Sequence, residues 1–313
     1  MQTRHLGRSG LVVSTLGLGT LTWGTEVDEE GARDQLTAFV AAGGTLVDTA
    51  YTFGGGAAET LLGRLLASGV VARGELVLAG KSGIGIRDGG PVVDVSRRTM
   101  LGQLEESLRR LGTDHLDLWV AHAWSDAVPL EETIGALEYA VCSGRARYVG
   151  VSGYSGWQAA RAFSLLEPAR VPLVAVQAEH SLLHRDAEHE VVPAAHSLGF
   201  GVLGWAPLGR GVLTGKYRGG IPAPSRAASR HFPRFLERHL DERAASVTEA
   251  VVTAARGLDV PAAHVALAWA RDTPAVSSVI VGARTVSHLR TALDSLGTSL
   301  PGPVRDALDE VSA

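Results

Sequence analysis

The sequence predicts a (β/α)8 TIM barrel, the α/β architecture in which eight parallel strands alternate with helices. Three observations predict it. Short β-branched apolar runs recur along the chain, each closed by small or polar residues and followed by a longer stretch of helical periodicity. The runs are nearly continuous rather than alternating, the pattern of parallel strands covered on both faces. Eight of them, each followed by a helix within roughly 250 residues, match the barrel's count. The rival, a doubly wound open sheet, would carry a G-x-G-x-x-G turn after its first strand and an acidic residue about 20 positions on. LGLGT at 16–20 matches that only in part, and no helix follows it directly.

In chain order, the opening residues with RSGL at 8–11 read as a hairpin capping the barrel floor, a turn between two short extended pieces. The first strand is expected at 13–18 and the first helix at 28–42. Strands at 45–48 and 76–79 follow, with a helix over 57–68 between them. Ser96 then precedes a periodic run at 96–111, the position of an N-cap. After a strand at 116–121, Glu131 and Glu132 load the first turn of a helix at 131–143 with the negative charge its dipole favours. Strands at 148–151, 174–176 and 201–204 alternate with helices at 156–167 and 188–198. The Pro-containing stretch 218–235 reads as one long loop after the seventh strand, and such loops are often functional. A helix at 261–271, the eighth strand at 278–281 and a helix at 285–296 complete the count. No Pro/Ser-rich linker divides the chain, so residues 1–313 are expected to form one barrel domain.

Composition limits the function. With 313 residues, 45% hydrophobic and 20% charged, the chain is globular and not disordered. Twenty-nine Lys and Arg against 33 Asp and Glu leave a net charge of −4, with no basic surplus for nucleic acid. A single cysteine, Cys142, forms neither an internal disulfide nor a thiolate metal site, which suits a reducing compartment. No apolar stretch resembles a secretory signal or reaches the roughly 18 residues of a membrane span, so a cytoplasmic protein without a membrane partner is expected.

In such a barrel the working face lies at the carboxyl ends of the strands. The residues there are Gly19 and Thr20, Asp48, Lys81, His122, Ser152, Gln177, Trp205 and Gly282. A carboxylate, an ammonium, an imidazole and a large flat aromatic thus converge on one cavity. Singly, Asp48 reads as a helix cap, Lys81 as a surface charge, His122 as a core histidine and Trp205 as packing. Strand-end placement of all four is not something packing requires. A Lys beside an Asp in a partly dry site stays charged and lowers the pKa of a neighbouring hydroxyl, and an imidazole orients or polarises a carbonyl. Nucleophile elbow, zinc helix and P-loop signatures are absent from the sequence. Reduction of a carbonyl by a borrowed hydride fits these residues; an aldolase-like use of Lys81 as a Schiff base is a further alternative.

From Arg4 to about Leu296 the chain resembles the aldo-keto reductase superfamily, in the branch that includes potassium-channel β subunits and bacterial general reductases. The resemblance is carried by GLGT at 17–20, DTAYTFGGGAAETLLG at 48–63, SRRTMLGQLEESLRRLGTDHLDLW at 96–119, HAW at 122–124, YVGVSGYSGWQ at 148–158, WAPLGRGVLTGKY at 205–217 and VIVGART at 279–285. It implies NADPH-dependent reduction of an aldehyde or ketone on a small organic substrate, with Asp48, Lys81 and His122 matching three of four catalytic positions. At the fourth the family has a Tyr that gives the developing alkoxide its proton, and here the aligned residue is Phe53. The proton must then come from His122, Tyr51 or water, with His122 best placed as an imidazole partly protonated near neutrality. The departure also implies an alternative: an NADP(H)-binding redox sensor or regulatory subunit with little turnover.

The resemblance further implies that Trp205 stacks on the nicotinamide and that Ser152 and Gln177 hold its carboxamide, with Gly153 where Asn is usual. Gly19 and Thr20 belong to the same surround. Ala206, Pro207, Leu208, Gly209 and Gly211 let backbone amides approach the pyrophosphate. Lys216 and Arg226 match basic residues beside the phosphates, Gly282 and Arg284 the loop that meets the adenosine 2′-phosphate, and His288 a neighbouring contact. Thr291 and Ala292 stand where an acid and an Asn are frequent, which implies looser adenine recognition. Trp23, Tyr51 and Trp124 are expected to line the substrate mouth. His115, His184 and His189 read as ordinary surface or loop histidines, and no metal site is expected.

Overall fold

The computed structural model describes residues 1–220, 222 and 241–313. Arg226 and most of the predicted loop after the seventh strand lie outside the described residues. The chain opens with β1 (Thr3–His5) and β2 (Val12–Ser14), antiparallel with Arg4 opposite Val13. Their turn passes through Gly7 at φ +60°, where an added Cβ would lie 2.4 Å from the Gly199 carbonyl oxygen, so only glycine fits. Leu6 and Val13 point up from this hairpin and plug the barrel from below. The Arg4 guanidinium fastens it, donating to the carbonyl oxygens of Arg271 at 2.6 Å and Val276 at 2.8 Å.

Eight parallel strands then close into a barrel: β3 (Leu16–Gly19), β4 (Leu46–Asp48), β5 (Val77–Ser82), β8 (Leu116–Ala121), β9 (Ala146–Ser152), β10 (Leu173–Glu179), β11 (Gly201–Trp205) and β12 (Val276–Gly282). Closure is made by β12 pairing with β3, Ile280 opposite Gly17. Leu46, Ala79, Leu118, Val120, Leu203 and Ile280 fill the interior, and a second apolar layer lies between the strands and the surrounding helices. Each predicted strand is present. The expected 13–18 run is divided at Thr15, between the floor hairpin, which ends at Ser14, and the barrel, and Ser14 links the two: its Oγ accepts from the Thr45 and Leu46 amides and donates to the Leu16 carbonyl. The chain bends there from floor hairpin into barrel wall.

The helices follow their capping chemistry. In α1 (Glu29–Ala41), Asp28 accepts from the Gly31 amide; α3 (Arg97–Leu111) starts on Ser96, which accepts from the Thr99 amide, and stops at the left-handed Gly112. Between and after them stand α2 (Ala57–Ala67), α4 (Leu130–Cys142), α5 (Gly156–Leu166), α6 (Val191–Leu198), α7 (Glu242–Leu258), α8 (Ala262–Arg271), α9 (Val286–Asp294) and α10 (Gly302–Ser312). The helix expected from 188 starts at Val191, after a 3-10 turn at Asp186–Glu188. Three elements go beyond the sequence reading: α7, α10 and a hairpin of β6 (Ile84–Arg87) and β7 (Gly90–Val93) beside the cavity mouth. Among the described residues no helix is long and apolar enough to cross a membrane.

Candidate active site

A cavity of about 670 Å³ opens at the carboxyl ends of the strands. At its inner end Asp48, on the last position of β4, accepts on one carboxylate oxygen from Lys81 Nζ at 2.5 Å and from Gln177 Nε2 at 2.8 Å. Parallel pairing of β4 with β5, with Asp48 opposite Ala79, brings Lys81 alongside it. Lys81 Nζ also donates to the Thr49 carbonyl at 2.8 Å, so two of its three N–H bonds are taken by the protein and the third is left for the cavity it lines. Burial pushes the Lys81 pKa down from the ordinary lysine value, opposed by the Asp48 carboxylate and, more weakly, by Glu59.

His122 follows β8, its amide bonded to the Ser82 carbonyl. Part of its surface faces the cavity, yet the imidazole is enclosed enough that burial, with the Lys81 charge adding to it, pushes its pKa down to about 3. The expectation of a partly protonated imidazole near neutrality is thereby overturned: His122 is neutral across the working range. Its Nδ1 is buried without a partner. We assign the neutral proton to Nε2, since an orphaned acceptor costs less than an orphaned donor.

Phe53 reaches this group, its ring centroid 5.1 Å from Lys81 Nζ and 6.0 Å from the His122 ring, which it meets edge-on. A side chain without a hydroxyl thus occupies the place beside the ammonium. Tyr51 points elsewhere. Arg110 of α3 covers its ring at 4.5 Å, donates to its carbonyl at 2.9 Å and pairs with the buried Glu59 at 3.1 Å, holding Tyr51 against α3 outside the cavity lining. Trp23 is likewise misplaced by the sequence reading. It is 0% exposed and donates its indole N–H to Gln35 of α1 at 3.0 Å, so it belongs to the core. Trp124 lies outside the cavity lining, packed edge-on against Tyr154 and Trp157 with its N–H on Asp126.

The rest of the cavity is elongated toward α9. Trp205 ends β11 and lines it with Gly19, Ser152, Gly153 and Gly282. Thr20 does not line it; its amide and hydroxyl both donate to the Asp48 carbonyl and support that residue from behind. After Trp205 the backbone coils through left-handed conformations at Ala206, Gly209, Arg210 and Gly211, and Pro207, Leu208 and Gly211 face the cavity. Gly209 is buried beneath that turn, where an added Cβ would meet Leu183 at 2.7 Å. At the far end Lys216, Arg284 and His288 meet. His288 has its pKa lowered by partial burial and then by the Lys216 and Arg284 charges, which places three basic groups within one another's field. Among the described residues no group of three His, Cys, Asp or Glu is arranged to hold a metal ion.

Among the lining residues that sequence reasoning passed over are Arg210 and Ile84. Arg210 is buried and paired with Glu179 at 3.0 Å, and a charged residue flanked by glycines in the apolar run WAPLGRGVL was the available signal. Ile84 lines the cavity from the β6–β7 hairpin, whose Asp88-Gly89 turn was the signal there.

The chain matches the family described as "Aldo/keto reductase family" over residues 15–313. It is similar to the uncharacterized oxidoreductase YrpG of Bacillus subtilis, 35% identical over 99% of this chain and 96% of the relative. A probable voltage-gated potassium channel subunit beta of Oryza sativa is 33% identical over 100% of this chain and 96% of its own. The protein tas of Escherichia coli is 33% identical over 100% and 97%.

Proposed function

Since the chain belongs to the aldo/keto reductase family, we propose that it reduces an aldehyde or ketone on a small organic substrate with NADPH, as one cytoplasmic barrel domain over residues 1–313. The observation that carries this reading is the convergence of Asp48, Lys81 and His122 at the inner end of a cavity whose other end gathers Lys216, Arg284 and His288. The intervening surface fits the cofactor: a flat indole at Trp205, a left-handed coil whose Pro207, Leu208 and Gly211 line the cavity, and a basic cluster for the 2′-phosphate.

When bound, the reduced nicotinamide supplies the hydride. Trp205 gives its ring a face to stack on. Gln177 has its amide N–H on Asp48, so its carbonyl oxygen is the part that accepts from the carboxamide, with Ser152 as the second holder. His122, neutral, donates a hydrogen bond from Nε2 and orients the substrate carbonyl without giving up a proton. The proton comes from Lys81. Lys81 lines the cavity with one N–H not engaged by Asp48 or Thr49, burial makes its ammonium more acidic than ordinary lysine, and neither Phe53 nor Tyr51 offers a phenol there. Asp48 keeps the ammonium charged between turnovers.

Phe53 also favours a second reading, an NADP(H)-binding redox sensor or regulatory subunit with little turnover, and the likeness of the chain to a probable channel subunit of Oryza sativa favours the regulatory-subunit part of it. Fluorescence titration with NADPH and NADH, followed by steady-state NADPH oxidation with aldehydes, ketones and quinones, tests both. Tight NADPH binding with measurable carbonyl turnover is the result expected. Tight binding without turnover on any carbonyl moves the assignment to the sensor, and no binding of either nucleotide removes both.

A further inference from the structure

We propose that Glu179 and Arg210 are positioning residues for the nicotinamide half of the cofactor site, a buried ion pair that holds the Trp205 ring and the turn after it. The inference rests on the reading of the cavity as a nicotinamide site. Glu179 ends β10 directly opposite Trp205 on β11, and the amide of His180 donates to the Trp205 carbonyl at 3.1 Å. From there the chain leaves through Ala206 and returns, so that Arg210 Nη2 donates to Glu179 Oε2 at 3.0 Å while its guanidinium lies 5.7 Å from the centre of the Trp205 ring. Both side chains are almost wholly enclosed, 4% and 6% exposed.

Two features make this more than packing. Ala206 at φ +55° and Arg210 at φ +57° hold a left-handed backbone that L side chains rarely adopt, which persists only where surrounding contacts impose it. The pair supplies that constraint, closing the turn at its base from the neighbouring strand. Arg210 and Trp205 both line the cavity, so the clamp acts at the surface where the nicotinamide stacks. A buried ion pair is in general a weak source of stability, and apolar residues of similar volume often replace one without loss. Placement of the indole and the adjoining amides is the role left to it.

The same principle supplies the test. Glu179→Gln removes one charge of a buried pair and destabilises the fold, so the decisive protein is the double variant Glu179→Leu/Arg210→Met, which removes both charges together. Thermal unfolding without ligand, affinity for NADPH from fluorescence quenching, and affinity for adenosine 2′-monophosphate by calorimetry are measured on both proteins. We expect an unchanged midpoint, NADPH bound at least tenfold more weakly with reduced quenching, and the adenosine monophosphate bound within twofold of the parent. NADPH affinity retained in a folded double variant overturns the proposal, as does an equal loss for both ligands or a double variant too unstable to bind either. Failure of the parent protein to bind NADPH would instead refute the cofactor reading itself.

Discussion

Replacing Phe53 by Tyr restores a hydroxyl to the one place around Lys81 where the chemistry calls for it. The ring centroid already lies 5.1 Å from the ammonium and 6.0 Å from the His122 imidazole, and Phe53 lines the cavity, so the added oxygen joins the same group of side chains. A positioned general acid contributes typically about 10²–10⁴ in rate. Lys81 already supplies part of that in the parent protein, so the expected gain in kcat is about 10–10³, or roughly 1.4–4 kcal/mol off the barrier. The pH profiles carry the mechanism. In the parent the active form is the Lys81 ammonium, so kcat falls as pH rises through the lowered Lys81 pKa and stays flat on the acid side, because His122 titrates only near 3. Asp48, Glu59 and His122 are the titratable groups facing that ammonium. The assay is single-aldehyde kcat against pH for the parent, Phe53→Tyr and Tyr51→Phe, with NADPH affinity measured alongside. If Phe53→Tyr gives no gain while Tyr51→Phe abolishes turnover, Tyr51 is the acid and the geometry has been misread. A parent rate that climbs as pH falls from 7 to 5 would refute the neutral His122.

Lys81→Met is expected to lower kcat by about a hundredfold or more and to remove the alkaline limb, with NADPH affinity within a few fold; a retained limb assigns it to another group. His122→Ala is expected to lower kcat/KM with no change in the acid side of the profile, which kinetics from pH 5 to 8 check. NADPH is expected to bind about tenfold to a hundredfold more tightly than NADH, a preference that Arg284→Ala collapses, and equal dissociation constants in the parent would remove Arg284 from the phosphate site. Arg110→Ala leaves the fully buried Glu59 carboxylate uncompensated and is expected to cost about 3 kcal/mol in denaturant unfolding, against less for Glu59→Gln, which keeps a hydrogen-bonding group; a smaller cost for Arg110→Ala refutes the pairing.

The barrel was legible because its strands are apolar on both faces, and the strand-end rule then picked out Asp48, Lys81, His122 and Trp205 without knowledge of any contact. The rest depends on long-range packing. Trp23 reads as a mouth residue from its place just after the first strand, but Gln35, twelve positions on, gives its indole a buried partner. The protonation state of His122 is decided by burial and by the Lys81 charge from a neighbouring strand, and an isolated histidine in a sequence carries no sign of either. Helix α7 was missed for a different reason. Asp241 is a plain N-cap accepting from the Ala244 amide, and Ala244, Val247, Val251 and Ala255 form a buried stripe, but the eight-strand count was satisfied without it.

The Arg4 clasp and the β12–β3 seam join positions some 270 residues apart, and this sets the order of events during synthesis. While the ribosome is still making residue 270, β3 has no partner on one side and the floor hairpin has nothing to grip. An open parallel edge exposes unpaired amides and carbonyls, the template on which chains stick to one another. Pairings this distant in sequence are also slow to find. A polypeptide stopped short of Val276 is therefore expected to depend on chaperones or to precipitate, and co-translational capture of an active half-molecule is closed to this protein.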